Sequence, residues 1–202
     1  MTRRCLATVL LILLAAPPIS AASAGAATDP SAFIDQLGRR ALEALNTNLA
    51  PEVRRAHFRE LFRQNFDAPR IARFVLGRYW QLASDAERRE FLTLFEDYVV
   101  FAYSSRLSEY SGEVFRVGGS RADGDAVIVA SEIVRPGGNP PLKVDWRLVG
   151  ESGGLKIADV VVDGISMAVT QRSEFAAVIQ RNGGQVEGLL TAMREKTAGA
   201  GH

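Results

Sequence analysis

The spacing of apolar residues changes once along this chain, near Glu113, and that change restricts the fold more than any other feature. Before it, apolar side chains recur every three or four residues; after it, they alternate. Leu142-Lys143-Val144-Asp145-Trp146-Arg147-Leu148 alternates without a fault, which gives a strand one apolar and one solvated face. Ala126 to Val134 is apolar on both faces over much of its length, as suits a central strand. Turn residues separate these runs at Arg121-Ala122-Asp123-Gly124, at Arg135 to Pro140 and at Glu151-Ser152-Gly153-Gly154. Connections this short imply an antiparallel sheet of about four or five strands.

The preceding half reads as helices. Asp29-Pro30-Ser31 offers a cap and a first-turn proline, and Phe33, Ile34, Leu37, Ala41 and Leu45 follow at helical spacing. A second helix runs from Pro51 through Phe58, Leu61 and Phe62. A third restarts at Asp67-Ala68-Pro69, carries Ile71, Phe74 and Val75, and breaks near Gly77. Ser84-Asp85-Ala86-Glu87 is a capping box, and behind it the longest helix places Phe91, Leu94, Phe95, Tyr98, Val99 and Ala102 on one face. Two further helices close the chain, one from Arg172 to Gln180 and one through Val186, Leu189, Leu190 and Met193. The fold class is therefore α+β: N-terminal helices packed on a twisted antiparallel sheet, with C-terminal helices. The apolar residues of the third and longest helices are expected to face a sheet whose inward set includes Val127, Val129, Leu142, Val144, Trp146 and Leu148.

The N-terminus is an export signal. Met1-Thr2-Arg3-Arg4 is basic, Cys5 to Ala16 is apolar, and Ala22-Ser23-Ala24 is a small-residue cleavage site, with further small residues up to Ala27. The apolar run falls short of the roughly 20 residues that span a bilayer. Residues 1–24 are thus a signal peptide, 28–197 one domain and 198–202 a disordered tail. Of 24 basic residues, Arg3 and Arg4 leave with the signal, so 22 face 23 acidic ones. A near-neutral chain lacks the clustered positive charge of a nucleic-acid binder. The single cysteine, Cys5, also leaves, so no disulfide supports the domain and its apolar core must hold it alone.

Catalytic groups are scarce. His57 lies on a polar stretch between Arg55 and Arg59, and His202 is terminal. With no paired histidines and no cysteine after the signal, no usual zinc set exists, and no Gly-x-Ser-x-Gly elbow occurs. Gly118-Gly119 reads as a hairpin rather than a phosphate-binding loop. Asp145 alternates with Val144 and Trp146 and points to water, Asp159 is a turn or cap acceptor, and Asp163-Gly164 forms a bend. No metal, cofactor or catalytic residue is expected.

One stretch carries more information. Leu155-Lys156-Ile157-Ala158-Asp159-Val160-Val161-Val162-Asp163-Gly164-Ile165-Ser166, followed by Arg172-Ser173-Glu174-Phe175, resembles the C-terminal signature of the MlaC (toluene-tolerance) family of periplasmic phospholipid carriers. Phe62, Phe66-Asp67, Phe74-Val75-Leu76-Gly77-Arg78-Tyr79-Trp80, Phe91, Phe95, Tyr103 and Tyr110 extend the resemblance over nearly all of the chain beyond the signal. Leu155 replaces the family's tryptophan, and Thr170-Gln171 its asparagine-tyrosine. The resemblance implies an apolar cavity between sheet and helices that holds phospholipid acyl chains. It implies partners at each end: an outer-membrane lipoprotein, and an inner-membrane ABC-transporter complex with its substrate-binding subunit. A hopanoid-associated branch of the same family is the alternative for the ligand. The residues expected to line the cavity are Phe74, Phe95, Tyr98, Val99, Val129, Val144, Trp146 and Val162. Arg172 matches the family's arginine and has two readings, the lipid phosphate or an acidic neighbour. The ion pair is preferred, because an arginine at a helix start opposes the macrodipole. Two competing classes remain: a small cavity-bearing enzyme of isomerase or dehydratase type on an apolar substrate, and a solid-cored adaptor.

Overall fold

A computed structural model describes residues 29–45, 50–104 and 112–198. The helices of the first half are α1 (Pro30–Leu45), α2 (Pro51–Asn65), α3 (Ala68–Leu76), α4 (Tyr79–Leu82) and α5 (Asp85–Ser104). The strands are β1 (Val114–Asp123), β2 (Ala126–Val134), β3 (Leu142–Glu151), β4 (Gly154–Val162) and β5 (Ile165–Ser166), and α6 (Met167–Arg181) and α7 (Val186–Ala198) follow. The strands form one five-stranded antiparallel meander in chain order. The expected signal peptide and residues 199–202 lie outside the described residues; Ala198 closes α7.

Local chemistry accounts for most boundaries. Asp67 caps α3 by accepting the Arg70 N–H, and Gly77, at φ +58°, ends that helix in a conformation glycine adopts without penalty. The capping box at the head of α5 is complete. The Glu87 carboxylate accepts both the N–H and the hydroxyl of Ser84, and Ser84 Oγ accepts the Glu87 N–H. The four-residue helix α4 is too short to carry an apolar period, so residue spacing does not predict it. Gly118-Gly119 is not a hairpin. β1 runs straight through it with a register shift between Val117 and Ser120, and the chain turns later, after Asp123. Glycines that leave a strand face without side chains accommodate such a bulge.

A second bulge matters more. Leu148 pairs with Ile157 while Arg147 pairs with Asp159, so Ala158 is an extra residue in β4. Ile157 and Val160, three apart, therefore both face the helices, and strict alternation fails there.

The helices form two groups. α1 packs on β1 and β2, and α3 and α6 pack on β4, whereas α5 has α7, α2 and α3 as its main partners. This corrects the expectation that α5 covers the sheet. Phe91 and Phe95 meet Phe175 of α6 edge-on, with centroids 5.9 and 6.5 Å apart, inside a helical core. The two C-terminal helices return over the apolar face of α5 and bury it. Arg59 ties α2 to α5 through Glu96 and Asp97, both at 2.6 Å. Burial works against the Glu96 charge, but hydrogen bonds from Arg63 and Arg59 outweigh it and hold the carboxyl below its ordinary range.

The buried apolar residues consequently fall into two clusters. One is helical and includes Phe62, Phe91, Phe175 and Leu190; the other joins α1 to the sheet through Ile34, Leu37, Val129, Leu148 and Ile157. Phe66 touches both, and its backbone is pinned where the Asp67 N–H donates to Ile157 O at 2.9 Å. Gly38 of α1 sits against the Phe115 ring so closely that an added Cβ would lie 2.4 Å from it. Gly38→Ala should therefore destabilise the protein. The gain of about 1 kcal/mol in helix propensity is offset by overpacking of roughly 1–3 kcal/mol. A denaturant midpoint above that of wild type would refute this packing.

Candidate functional site

The sheet presents a continuous apolar face toward the helices. Val129 stands opposite Trp146 and Val144 opposite Val162, so four of the expected site residues share one face. Val129 and Val144 are buried, while Trp146 and Val162 are half-buried. Phe115 meets the Trp146 ring edge-on, at 6.4 Å and 89°. The Trp146 indole N–H donates to Ser131 Oγ at 2.8 Å, and that hydroxyl donates to the Val144 carbonyl at 2.9 Å. One serine thus satisfies the indole and fixes its orientation inside an apolar face. Sequence reasoning missed Ser131. Its signal was a small polar residue at an inward position between Val129 and Ile133.

The helical candidates do not join that face as one set. Phe95 belongs to the packed helical core, with Val99 half-buried against it. Tyr98 meets Phe175 edge-on at 5.4 Å and lines a cavity of about 560 Å³. Phe74 lies apart, 41% exposed on α3, beneath the guanidinium of Arg172 at 5.3 Å.

Arg172 itself departs from expectation twice. α6 begins at Met167, so Arg172 is not at a helix start and the macrodipole argument loses its premise. It also makes no ion pair among the described residues, lying instead across Phe74 and against Gly77. A side chain at Gly77 would meet the Arg172 Nε at 2.8 Å. The glycine of the Leu76-Gly77-Arg78 segment and the arginine of the Arg172-Ser173 segment are therefore packing partners.

The carboxylates serve structure. Asp159 accepts the N–H groups of Val160 and Ala168 at 2.8 and 3.0 Å and the Ser166 hydroxyl at 2.5 Å. Ser166 in turn caps α6 by accepting the Val169 N–H. Asp163 and Gly164, both at positive φ, form the tight turn between β4 and β5. Asp145 pairs with Arg121 at 2.9 Å on the solvated face of the sheet. His57 is exposed. Among the described residues no cluster of three metal-binding side chains occurs, and no helix is long and apolar enough to cross a membrane.

What the arrangement offers is apolar surface divided between two layers. A domain of this size ordinarily has one contiguous core. Among the described residues the apolar interior forms two clusters that share Phe66, with Trp146, Val160, Phe115 and Leu61 half-buried against the sheet cluster and Tyr98 and Val99 half-buried against the helical one.

Comparison with known proteins agrees with this architecture. The family model described as MlaC protein matches residues 35–195. The intermembrane phospholipid transport system binding protein MlaC of Haemophilus influenzae is 24% identical over 61% of this chain and 59% of its own length. The toluene tolerance protein ttg2D of Pseudomonas putida is 26% identical over 79% of this chain and 65% of its own length. The chain thus spans less than two thirds of either relative. A phospholipid-binding protein from Ralstonia solanacearum, solved in complex with a phospholipid, superposes with a TM-score of 0.71 at 23% identity. That match covers 84% of this chain and 97% of the other, and it shows a shared α+β fold. With the family model spanning most of the chain, and its signature segments packed against one another as found here, this protein belongs to the MlaC family.

Proposed function

We propose that this protein is an exported, non-enzymatic carrier that holds the acyl chains of a phospholipid between the sheet face and the helices. It takes lipid from, or delivers it to, an outer-membrane lipoprotein and the substrate-binding subunit of an inner-membrane ABC transporter. The observation that carries the reading is the apolar sheet face on which Val129, Val144, Trp146 and Val162 come together, with Trp146 and Val162 only half-buried, beside an interior divided into two clusters. The phospholipid-related names of the Haemophilus relative and the Ralstonia structure support it. Val129, Val144, Trp146 and Val162 form the sheet side of the cavity, and Tyr98 and Val99 its helical side. Phe95 lies deeper in the helical layer, and Phe74 and Arg172 stand on the outer surface.

The physics of lipid movement favours such a device. Each methylene transferred from an apolar medium to water costs about 0.8 kcal/mol, so two acyl chains do not cross an aqueous compartment unaided. An apolar interior comparable to the bilayer brings net transfer close to zero. Binding and release then suffice, and no bond need be made or broken.

The test is native mass spectrometry of the exported protein purified without detergent. A lipid adduct is expected, on a chain whose N-terminus falls between Gly25 and Thr28. Protein that remains empty after exposure to lipid vesicles would favour the adaptor. Turnover of any added substrate would favour the enzyme. Intact Met1 would overturn the assignment of export.

A further inference from the structure

The cavity beside Tyr98 has a chemistry that the sheet face lacks. It measures about 560 Å³ and lies where α2, α5, α6 and α7 converge. Tyr98, Phe101 and Met167 give it an apolar wall, and Arg55 and Lys196 bring two cations to it. Lys196 Nζ sits 4.8 Å from the centroid of the Tyr98 ring, so its charge is held over that wall. Among the described residues Lys196 pairs with no carboxylate, and Arg55 pairs only with Glu52, at 3.2 Å along its own helix. An exposed pair of that kind contributes little, and it leaves guanidinium N–H groups for a further acceptor. The one carboxylate of the lining, Glu174, accepts from Gln171 Nε2 at 3.2 Å and has acceptor capacity to spare. Ser166 pairs with Val161, so Met167 sets the cavity beside the end of the strand that bears Val160 and Val162.

Two cations, one carboxylate and an apolar wall complement a zwitterionic amphiphile. We infer that this cavity holds the headgroup of the carried lipid, with the phosphodiester on Lys196 and Arg55 and an ammonium substituent against Glu174. The inference rests on the carrier reading and adds to it a site for the polar end.

Delipidated protein reloaded from vesicles of phosphatidylethanolamine, of phosphatidylglycerol, or of a neutral carrier lipid containing diacylglycerol, and read by native mass spectrometry, tests it. The variant Arg55→Gln/Lys196→Gln should bind both phospholipids about tenfold more weakly, as expected for lost charge-assisted hydrogen bonds, and take up diacylglycerol as wild type does. Lys196→Arg keeps the charge and should lose less phospholipid binding than Lys196→Gln; an equal loss would overturn the phosphodiester contact. Glu174→Gln should lower the preference for phosphatidylethanolamine over phosphatidylglycerol; an unchanged ratio would overturn the ammonium contact. Undiminished phospholipid uptake by the double variant would overturn the headgroup site. So would an equal loss of diacylglycerol, which would place the two residues in the acyl cavity or the fold. Binding of inorganic phosphate that the double variant abolishes, with phospholipid uptake untouched, would assign the cavity to free phosphate instead. Wild-type protein that takes up neither lipid would remove the carrier reading, and the headgroup site with it.

Discussion

Asp159→Ala should lower the melting temperature by roughly 10 °C while leaving the lipid load per folded molecule unchanged. The carboxylate accepts three hydrogen bonds, from Val160, Ser166 and Ala168, and the last two fasten the start of α6 to β4. Hydrogen bonds to a charged, half-buried group contribute about 1.5–3 kcal/mol each, and they are not additive within one network. A net loss of about 3 kcal/mol is a reasonable central value, and a domain of this size loses about 2–4 °C per kcal/mol. Ser166→Ala removes the cap of α6 and one of the same three bonds, so it should cost less, about 1 kcal/mol or somewhat more. Asp145→Asn breaks only an exposed ion pair and should move stability by less than about 1 kcal/mol. Thermal melts of the three variants check the order. An Asp159→Ala protein that melts with the wild type would show that the link between α6 and β4 contributes nothing.

Val144→Trp and Leu148→Trp should have opposite consequences, although both side chains point from β3 toward the helices. Leu148 is fully buried within the cluster that joins α1 to the sheet. Trp there has no space, and overpacking should cost roughly 1–3 kcal/mol or more. Val144 is buried at 4% exposure but belongs to neither core cluster among the described residues. It stands opposite Val162 at the end of the sheet where half-buried apolar residues collect. If that space is the acyl cavity, Val144→Trp fills it. Bound lipid should then fall several-fold, while the melting temperature of delipidated protein changes little. Severe destabilisation with full lipid occupancy would place Val144 in ordinary core and move the cavity elsewhere.

Much of the fold was legible because the signals were local. The capping box at Ser84, the proline at the head of α2, the Asp163-Gly164 turn and the alternation of Leu142 to Leu148 each depend on residues a few positions apart. The misreadings share one physical origin. Alternation cannot reveal the extra residue Ala158, because a bulge is defined by the register of the partner strand. Arg172 looked like a helix start because the cap of α6 lies six residues earlier, at Ser166, and is secured by Asp159 from another strand. Phe74 satisfied the same apolar pattern as its neighbours Ile71 and Val75, yet only contacts with α6 decide which of them remain outside.

The sequence by itself determined the fold class, the order of the longer helices and strands, and the meander. Those follow from the period of apolar residues and from capping and turn chemistry, which act over one to four residues. The tertiary structure decided which apolar faces meet. Periodicity states that a helix has an apolar side, but every such side is chemically alike, and the choice of partner is a matter of total volume and chain path. Here α6 and α7 return to cover α5, α1 covers the sheet, and among the described residues Phe66 alone packs against both cores. The two-core interior arises from that choice, and no local pattern along the chain encodes it.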